Sequence, residues 1–250
     1  MIFLKRRRTV AKIENRKLTL TVASYNIAGG NFDKELTAIA KDILDCGADI
    51  VGIQEIDMFA VRSNKVDMLD MLLKNTGFEY GFFVKAIDLY KGGEYGTAII
   101  SKYPITSSKI IPLKTYEGGP RVPEGRSLGI AEIDVLGEKV NFINTHLSYE
   151  FREAIEDHFD QVGEILGDYD SYIITADFNT NDFTLFERFH DSHAVNNKEH
   201  ELHSFPYSST GGKGIDNIVM TKDWKWRDAG LGPLDHSDHR MLYATLEKEI

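Results

Sequence analysis

The feature that most constrains the fold of this sequence is a set of apolar runs that end on polar side chains. The clearest is residues 174–179, Ile-Thr-Ala-Asp-Phe-Asn, in which an apolar run ends on Asp177 and, two residues later, Asn179. Side chains two apart on a strand share a face, so this pair is placed to hold a water or a metal. The pattern predicts a site at the end of a buried strand.

Other segments end in the same way, and their terminal residues share carboxylate, imidazole or amide chemistry: Asn26, Glu55, His146, Asp216, Asp238 and His239. Each residue alone is typical of a helix cap, a local turn or a buried, hydrogen-bonded histidine. The whole set, nearly all of it at the ends of apolar runs, is difficult to explain as independent caps. It indicates one shared site.

The order of these segments carries a family resemblance. They read S-Y-N (24–26), Q-E (54–55), N-T-H-L (144–147), A-D-F-N (176–179), I-D-N-I (215–218) and S-D-H (237–239). This series resembles the endonuclease/exonuclease/phosphatase superfamily, the DNase I-like group, from about residue 18 to about residue 247. Arg62-Ser63, Asp67 and residues 92–104 further resemble a bacterial branch described only as metal-dependent hydrolases.

The resemblance implies an α/β (α+β) fold, the DNase I-like sandwich of two sheets flanked by helices, with its site at one rim. One departure concerns the segment after N-T-H-L, where the family often carries Arg three residues before a Gln. Here His158 precedes Gln161, so a basic contact from this helix is not expected.

Hydrophobic periodicity also predicts strands alternating with helices. The expected strands are residues 18–25, 49–54, 80–85, 95–101, 128–135, 138–145, 171–176, 215–220 and 240–247. The expected helices are residues 33–46, 64–75 and 150–166, and residues 208–214 form a glycine-rich loop. We expect residues 1–17 to be an N-terminal tail and lead-in, and residues 18–250 to form one domain.

The residue set suits phosphoester hydrolysis, which needs a cation, a held water and stabilisation of the leaving oxygen. Glu55 is the expected ligand of Mg²⁺, with Mn²⁺ as the alternative, because hard cations prefer carboxylate oxygen. Asn26 and Asp238 would complete or orient that shell. Asp177 and Asn179 would position the attacking water, and Asp177 is a candidate to take its proton.

The histidines and arginines would contact the phosphoester itself. His239 would bind the phosphoryl group or share the base role, and the resemblance implies Asp216 as its partner. His146 would act from the opposite side as general acid or electrostatic clamp, with Glu94 as its orienting carboxylate. The candidate phosphate-binding cations are Arg126, which follows a glycine-rich loop, and Arg62.

Charge and composition limit the partners. The 29 Lys and Arg residues against 39 Asp and Glu residues give a net charge of −10, so we expect no strong nonspecific binding of duplex DNA. No stretch approaches the roughly 20 apolar residues of a membrane span. The apolar-then-basic N-terminus reverses the order of a signal peptide, and the single Cys46 excludes an internal disulfide, so we expect a cytoplasmic protein.

Three alternatives stay open at this stage. The first is a nuclease acting on DNA or RNA, and the second is a non-catalytic protein that binds phosphorylated ligands. The third is a zinc hydrolase built on His190 and His193 or on His236 and His239, each pair with three-residue spacing. Metal plus two histidines serves nucleases, inositol-phosphate phosphatases and sphingomyelinases alike, so the phosphoester substrate stays unassigned, as does the oligomeric state.

Overall fold

Two β-sheets pack face to face in the computed structural model, which describes residues 10–29, 36–207 and 212–250. The described strands are β1 Lys12–Glu14, β2 Lys17–Asn26, β3 Ile50–Met58, β4 Tyr80–Asp88, β5 Glu94–Ser101, β6 Ile105–Leu113, β7 Arg126–Val135, β8 Glu138–His146, β9 Ile173–Asp177, β10 Ser192–Ala194, β11 Asp216–Thr221, β12 Trp224–Leu231 and β13 Leu242–Glu249. The described α-helices are α1 Leu36–Cys46, α2 Met68–Thr76 and α3 Arg152–Leu166. Short 3-10 helices lie at Val61–Ser63 and Phe183–Arg188.

Each sheet is built around a parallel strand pair. The first sheet has the order β12-β13-β2-β3-β5-β4, with β1 paired to β2, and the second has the order β10-β11-β9-β8-β7-β6. Strands β2 and β3 run parallel through the α1 crossover, and β8 and β9 run parallel through α3, because parallel neighbours need a long connection. Asn26 pairs with Gln54 in one register, and His146 pairs with Asp177 in the other. Both registers therefore bring polar strand ends to a sheet rim.

Alternating side chains divide the core into three layers. The inter-sheet layer includes Leu20, Ile99 and Phe142, all fully buried. The outer face of the first sheet is covered by α1 and α2, and the outer face of the second is covered by α3, whose Phe159 is fully buried. No helix in the described ranges is both long enough and apolar enough to cross a membrane.

The inter-sheet layer becomes polar below the rim. Asn144 of β8 donates both amide protons across the interface, to the backbone oxygens of Ile53 at 3.0 Å and Ala98 at 2.9 Å. Its Oδ1 accepts from Gln54 Nε2 at 2.7 Å. A Cβ at Gly52 would lie 2.5 Å from Asn144 Oδ1, so glycine lets the sheets approach here. Because the amide is fully bonded, this contact fixes one sheet against the other.

The predicted elements are present, with local differences. Helix α2 begins at Met68 rather than near residue 64, because Asp67 caps it by accepting from the Asp70 N–H at 2.8 Å. No strand is predicted over 105–113, where the largely exposed β6 forms an edge of the second sheet. Parts of the predicted helix at 33–46 and of the loop at 208–214 lie outside the described residues.

Candidate active site

Asn26 links carboxylates from both sheets at the rim. Its Nδ2 atom donates to Glu55 Oε1 at 3.1 Å and to Asp177 Oδ2 at 3.0 Å. Its Oδ1 atom accepts from the Ala28 N–H at 3.0 Å, which sets the direction of the amide. Asn26 therefore holds the two predicted carboxylates close together, while its own oxygen is occupied by the backbone.

Glu55 reaches the rim because strand β3 bulges at this position. The register with β5 shifts between Gln54 and Ile56, and the φ angle of Glu55 is 64°, in the left-handed region. A bulge re-aims one side chain out of the strand alternation, and a non-glycine residue with such an angle is often part of a site. Burial raises the pKa of Glu55, and the Asp238 carboxylate adds to the increase. A bound cation would relieve this accumulation of negative charge.

Asp177 is held from both sides. Asn26 Nδ2 binds its Oδ2, and the Asn179 N–H donates to its Oδ1 at 2.9 Å. Asn179 has a φ angle of 56°, and its side chain donates to the Leu147 backbone oxygen at 2.9 Å. Burial, followed by the nearby Asp216 charge, raises the pKa of Asp177 to about 7. A carboxyl group with this pKa can exchange a proton near neutral pH.

His239 and Asp216 form a buried ion pair. Asp216 Oδ2 lies 2.8 Å from His239 Nδ1, and His239 Nε2 lies 3.7 Å from Asp177 Oδ2. Burial alone lowers the pKa of His239, but the carboxylates of Asp216 and Asp177 outweigh it and raise the value to about 10. The two carboxylates therefore favour the cationic form of the imidazole, and the predicted pairing with Asp216 is present.

His146 approaches Asp177 from the neighbouring strand, with its Nε2 atom 3.5 Å from Asp177 Oδ2. Burial, with the positive charges of Arg126 and His239, lowers the pKa of His146 well below its ordinary value. The prediction that Glu94 orients His146 is wrong. Glu94 instead accepts from Lys85 Nζ at 2.8 Å, and Lys85 lies on the neighbouring antiparallel strand β4, opposite Gly96.

The two predicted phosphate-binding arginines differ in their surroundings. Arg126 is buried, lines a small cavity together with His146, and has its Nη1 atom 3.0 Å from Glu124 Oε1. Arg62 donates to both oxygens of the buried Asp57, at 2.8 and 2.7 Å. Its guanidinium also lies 5.1 Å from the centre of the Tyr95 ring. The structure thus brings Arg126 to the histidine and holds Arg62 on Asp57.

The loop that carries Asp238 and His239 is anchored by Ser237 and His236, for which the sequence predicted no anchoring role. Ser237 Oγ donates to the Asn26 backbone oxygen at 2.7 Å and accepts from the His239 N–H at 3.2 Å. His236 Nδ1 lies 2.8 Å from Oδ2 of the buried Asp42 on α1. Asp42 is a buried acidic residue on an amphipathic helix, and this feature was the one in the sequence that could have indicated the second anchor.

One group of possible ligand atoms stands out among the described residues. Atoms of Asp177, Asp216 and His239 lie within 4.8 Å of one another. This group contains neither His190 nor His193, and His236 is bound to Asp42, so the geometry gives no support to the zinc alternative. Glu55 lies outside the group and is connected to it through Asn26.

Comparisons with known proteins show which family and which solved structures this chain resembles. The model of the Endonuclease/Exonuclease/phosphatase family matches residues 23–239, whereas no curated protein matches the sequence. A family protein from Bacteroides thetaiotaomicron shares 18% identity and a TM-score of 0.71, with 94% of this chain and 96% of that chain covered.

Two further solved structures have names that describe what they act on or bind. The B. thetaiotaomicron mannosyl-6-phosphatase Bt3783 is 19% identical, with a TM-score of 0.68 over 91% of this chain and 99% of that one. D. rerio TDP2, solved with a single-strand DNA product, is 19% identical, with a TM-score of 0.69 over 91% and 98%. These likenesses confirm the expected DNase I-like sandwich, and the matching family model shows that the chain belongs to the Endonuclease/Exonuclease/phosphatase family.

Proposed function

We propose that this protein is a Mg²⁺-dependent phosphoesterase that hydrolyses a phosphomonoester or phosphodiester by in-line attack of water. The observation that carries the proposal is the Asn26 amide, which holds Glu55 and Asp177 together between two histidines of opposite character. The Asp216 and Asp177 carboxylates raise the pKa of His239, whereas burial lowers the pKa of His146. Membership of a family of phosphoester hydrolases supports the reaction class.

The residues fit a hard divalent cation. Glu55 would be the main ligand, with Asp238 completing the shell and Asn26 orienting it, because carboxylate oxygens are the ligands that Mg²⁺ prefers. Asp216 Oδ1 is buried without a partner in the described part of the chain, so the Asp177 and Asp216 carboxylates offer a second place for a cation. When bound, the cation would neutralise phosphoryl charge and lower the pKa of a bound water.

The protein groups would divide the remaining work. Asp177, held by Asn26 and by the Asn179 N–H, would orient the attacking water and accept its proton. His239, kept cationic by Asp216, would bind a phosphoryl oxygen. His146 would donate a hydrogen bond from the other side. Arg126, beside His146, would add positive charge through its terminal nitrogens.

Substrate preference follows from charge and from the neighbours. A net charge of −10 disfavours a long polyanion and favours a small or isolated phosphoester. The similar mannosyl-6-phosphatase structure, a phosphatase by name, supports a sugar phosphomonoester, and the TDP2 structure with a single-strand DNA product supports single-stranded DNA as a second candidate substrate.

A substrate panel tests the proposal. Sugar phosphates, inositol phosphates, phospholipid headgroups, single-stranded DNA and duplex DNA would be assayed with Mg²⁺, with Mn²⁺ and with EDTA. Asp177→Asn, purified in parallel, controls for contaminating hydrolases. We expect metal-dependent turnover of at least one small phosphoester. Binding of the phosphorylated compounds without turnover would instead identify a non-catalytic phospholigand-binding protein.

A further inference from the structure

A small cavity lies against His146, between the two sheets. Its volume is about 10 Å³, close to the space that one water molecule occupies. Thr97 of β5 and Arg126 of β7 also line it. All three side chains are almost completely buried, with exposed fractions of 6% for His146, 3% for Thr97 and 4% for Arg126. Residues from both sheets therefore line the cavity, and these three polar side chains are among them.

Each of these three residues carries an unpaired polar atom. Within the described ranges, seven buried side-chain atoms lack a hydrogen-bond partner, and they include His146 Nδ1, Thr97 Oγ1 and Arg126 Nε. Buried polar atoms in folded proteins are nearly always paired, either with protein or with ordered water. The three residues that carry these atoms line one water-sized cavity, which points to a single shared partner.

We propose that one water molecule fills this cavity and bonds all three atoms, so that Thr97 and Arg126 act as positioning residues for His146. Arg126 Nε can only donate, so it binds the water oxygen. The positive guanidinium orients the water dipole, so that the two hydrogens point away from it, toward Thr97 Oγ1 and His146 Nδ1. In this arrangement His146 Nδ1 accepts, and the ring proton of His146 lies on Nε2.

This arrangement determines which role His146 has in the proposed function. The catalytic part of the inference rests on that proposed function. A carboxylate at Nδ1 would accept a proton there and leave Nε2 as a base. A water oriented by an arginine instead donates to Nδ1 and leaves the ring proton on Nε2. The Nε2 atom, 3.5 Å from Asp177 Oδ2, then presents an N–H to the site. His146 donates a hydrogen bond to a phosphoryl or leaving oxygen and does not abstract a proton.

The tautomer can be measured without substrate. Full-length protein labelled with ¹⁵N-histidine would be examined by long-range ¹H–¹⁵N correlation spectra at about pH 8, and His146→Gln would identify the His146 signals. We expect the Nε2–H tautomer in the wild type and a mixture of tautomers in Thr97→Val. Thr97→Ser, which keeps the hydroxyl, should restore the wild-type pattern. An Nδ1–H tautomer in the wild type, or a Thr97→Val spectrum identical to it, overturns the proposal.

Thr21→Val is the matched control, because it removes a buried threonine hydroxyl from β2, where Thr21 Oγ1 pairs with Thr245 Oγ1 at 3.3 Å. It should leave the His146 tautomer unchanged. On any substrate found active, we expect Thr97→Val to lose about tenfold in turnover, the range of outer residues that orient a reacting group. The spectra remain decisive if no phosphoesterase activity is found.

A crystal structure of the wild type decides the matter if Thr97→Val does not fold. Density for one water within hydrogen-bond distance of all three atoms is the expected result. A cavity without density, or a water that contacts only one of the three atoms, overturns the proposal.

Discussion

The side chains of Asn26 and Asp177 come from different sheets and meet at the rim, with Asn26 Nδ2 only 3.0 Å from Asp177 Oδ2. The same amide binds Glu55 of its own sheet. Neither sheet alone contains the candidate site. The packing of the two sheets, fixed just below by Asn144, therefore determines whether the groups of the candidate site meet.

Asn26→Ala should reduce turnover by about 10², because both carboxylates lose their shared donor and the reacting groups move apart. Asn141→Ala is the matched control. Asn141 also lies on a central strand, but its amide binds the Ser171 backbone oxygen at 2.9 Å, near the opposite end of β8. Steady-state kinetics of the two variants would show the difference. Equal rates for Asn26→Ala and wild type would remove Asn26 from the site.

Glu55→Gln should weaken Mg²⁺ binding at least about tenfold, because a neutral amide replaces the proposed anionic ligand without a change in size. Asp216→Asn should have a smaller effect. Titration calorimetry on both variants, with circular dichroism to check the fold, measures this contrast. The reverse order of effects would locate the metal at Asp177, Asp216 and His239 instead.

His158 should make stability depend on pH. Its Nδ1 atom accepts from the Ser148 N–H at 3.2 Å, and burial lowers its pKa. The unfolded chain takes up a proton near pH 6.5, whereas the folded protein does not. The stability that His158 contributes to the folded protein is therefore present above about pH 6.5 and is lost as the pH falls below that value.

Urea unfolding at several pH values from about 7 to 5 checks this prediction. His158→Asn keeps an acceptor for the Ser148 N–H but does not titrate. Its free energy of unfolding should fall less steeply with decreasing pH than that of the wild type. Parallel curves for the two proteins would show that His158 makes no such contribution.

Duplex DNA should bind weakly at physiological salt. The net charge is −10, Arg62 is held by Asp57, and Arg126 is buried. The slope of log affinity against log salt should correspond to only a few phosphate contacts, at about 0.9 counterions each. Fluorescence anisotropy across a salt series measures it. Tight binding with a steep slope would favour the nuclease alternative.

The polar residues at strand ends were predictable from sequence, because the alternation of apolar residues and the length of apolar runs indicate which strands are buried. That signal gave Asn26, His146 and Asp177, which lie at the ends of their strands. It also placed Asp216, which begins β11 beside Asp177 because the two strands are antiparallel.

Other features depend on contacts between distant residues. The pairing of Glu94 with Lys85 follows from a strand register that no local pattern encodes. The anchor between His236 and Asp42 spans 194 residues. The bulge at Glu55 was also hidden, since an inserted residue appears in sequence as an ordinary strand position.

Release of p-nitrophenolate from p-nitrophenyl phosphate and bis(p-nitrophenyl) phosphate tests directly whether the protein is a metal-dependent phosphoesterase. Wild-type protein would be compared in Mg²⁺ and in EDTA with Asp177→Asn, His146→Ala and His239→Ala. We predict measurable hydrolysis of at least one compound in Mg²⁺, loss of that activity in EDTA, and a decrease of about 10² or more in each variant with the fold intact. Hydrolysis that persists in EDTA, or near-normal rates in any two variants, would contradict the proposed metal-dependent mechanism.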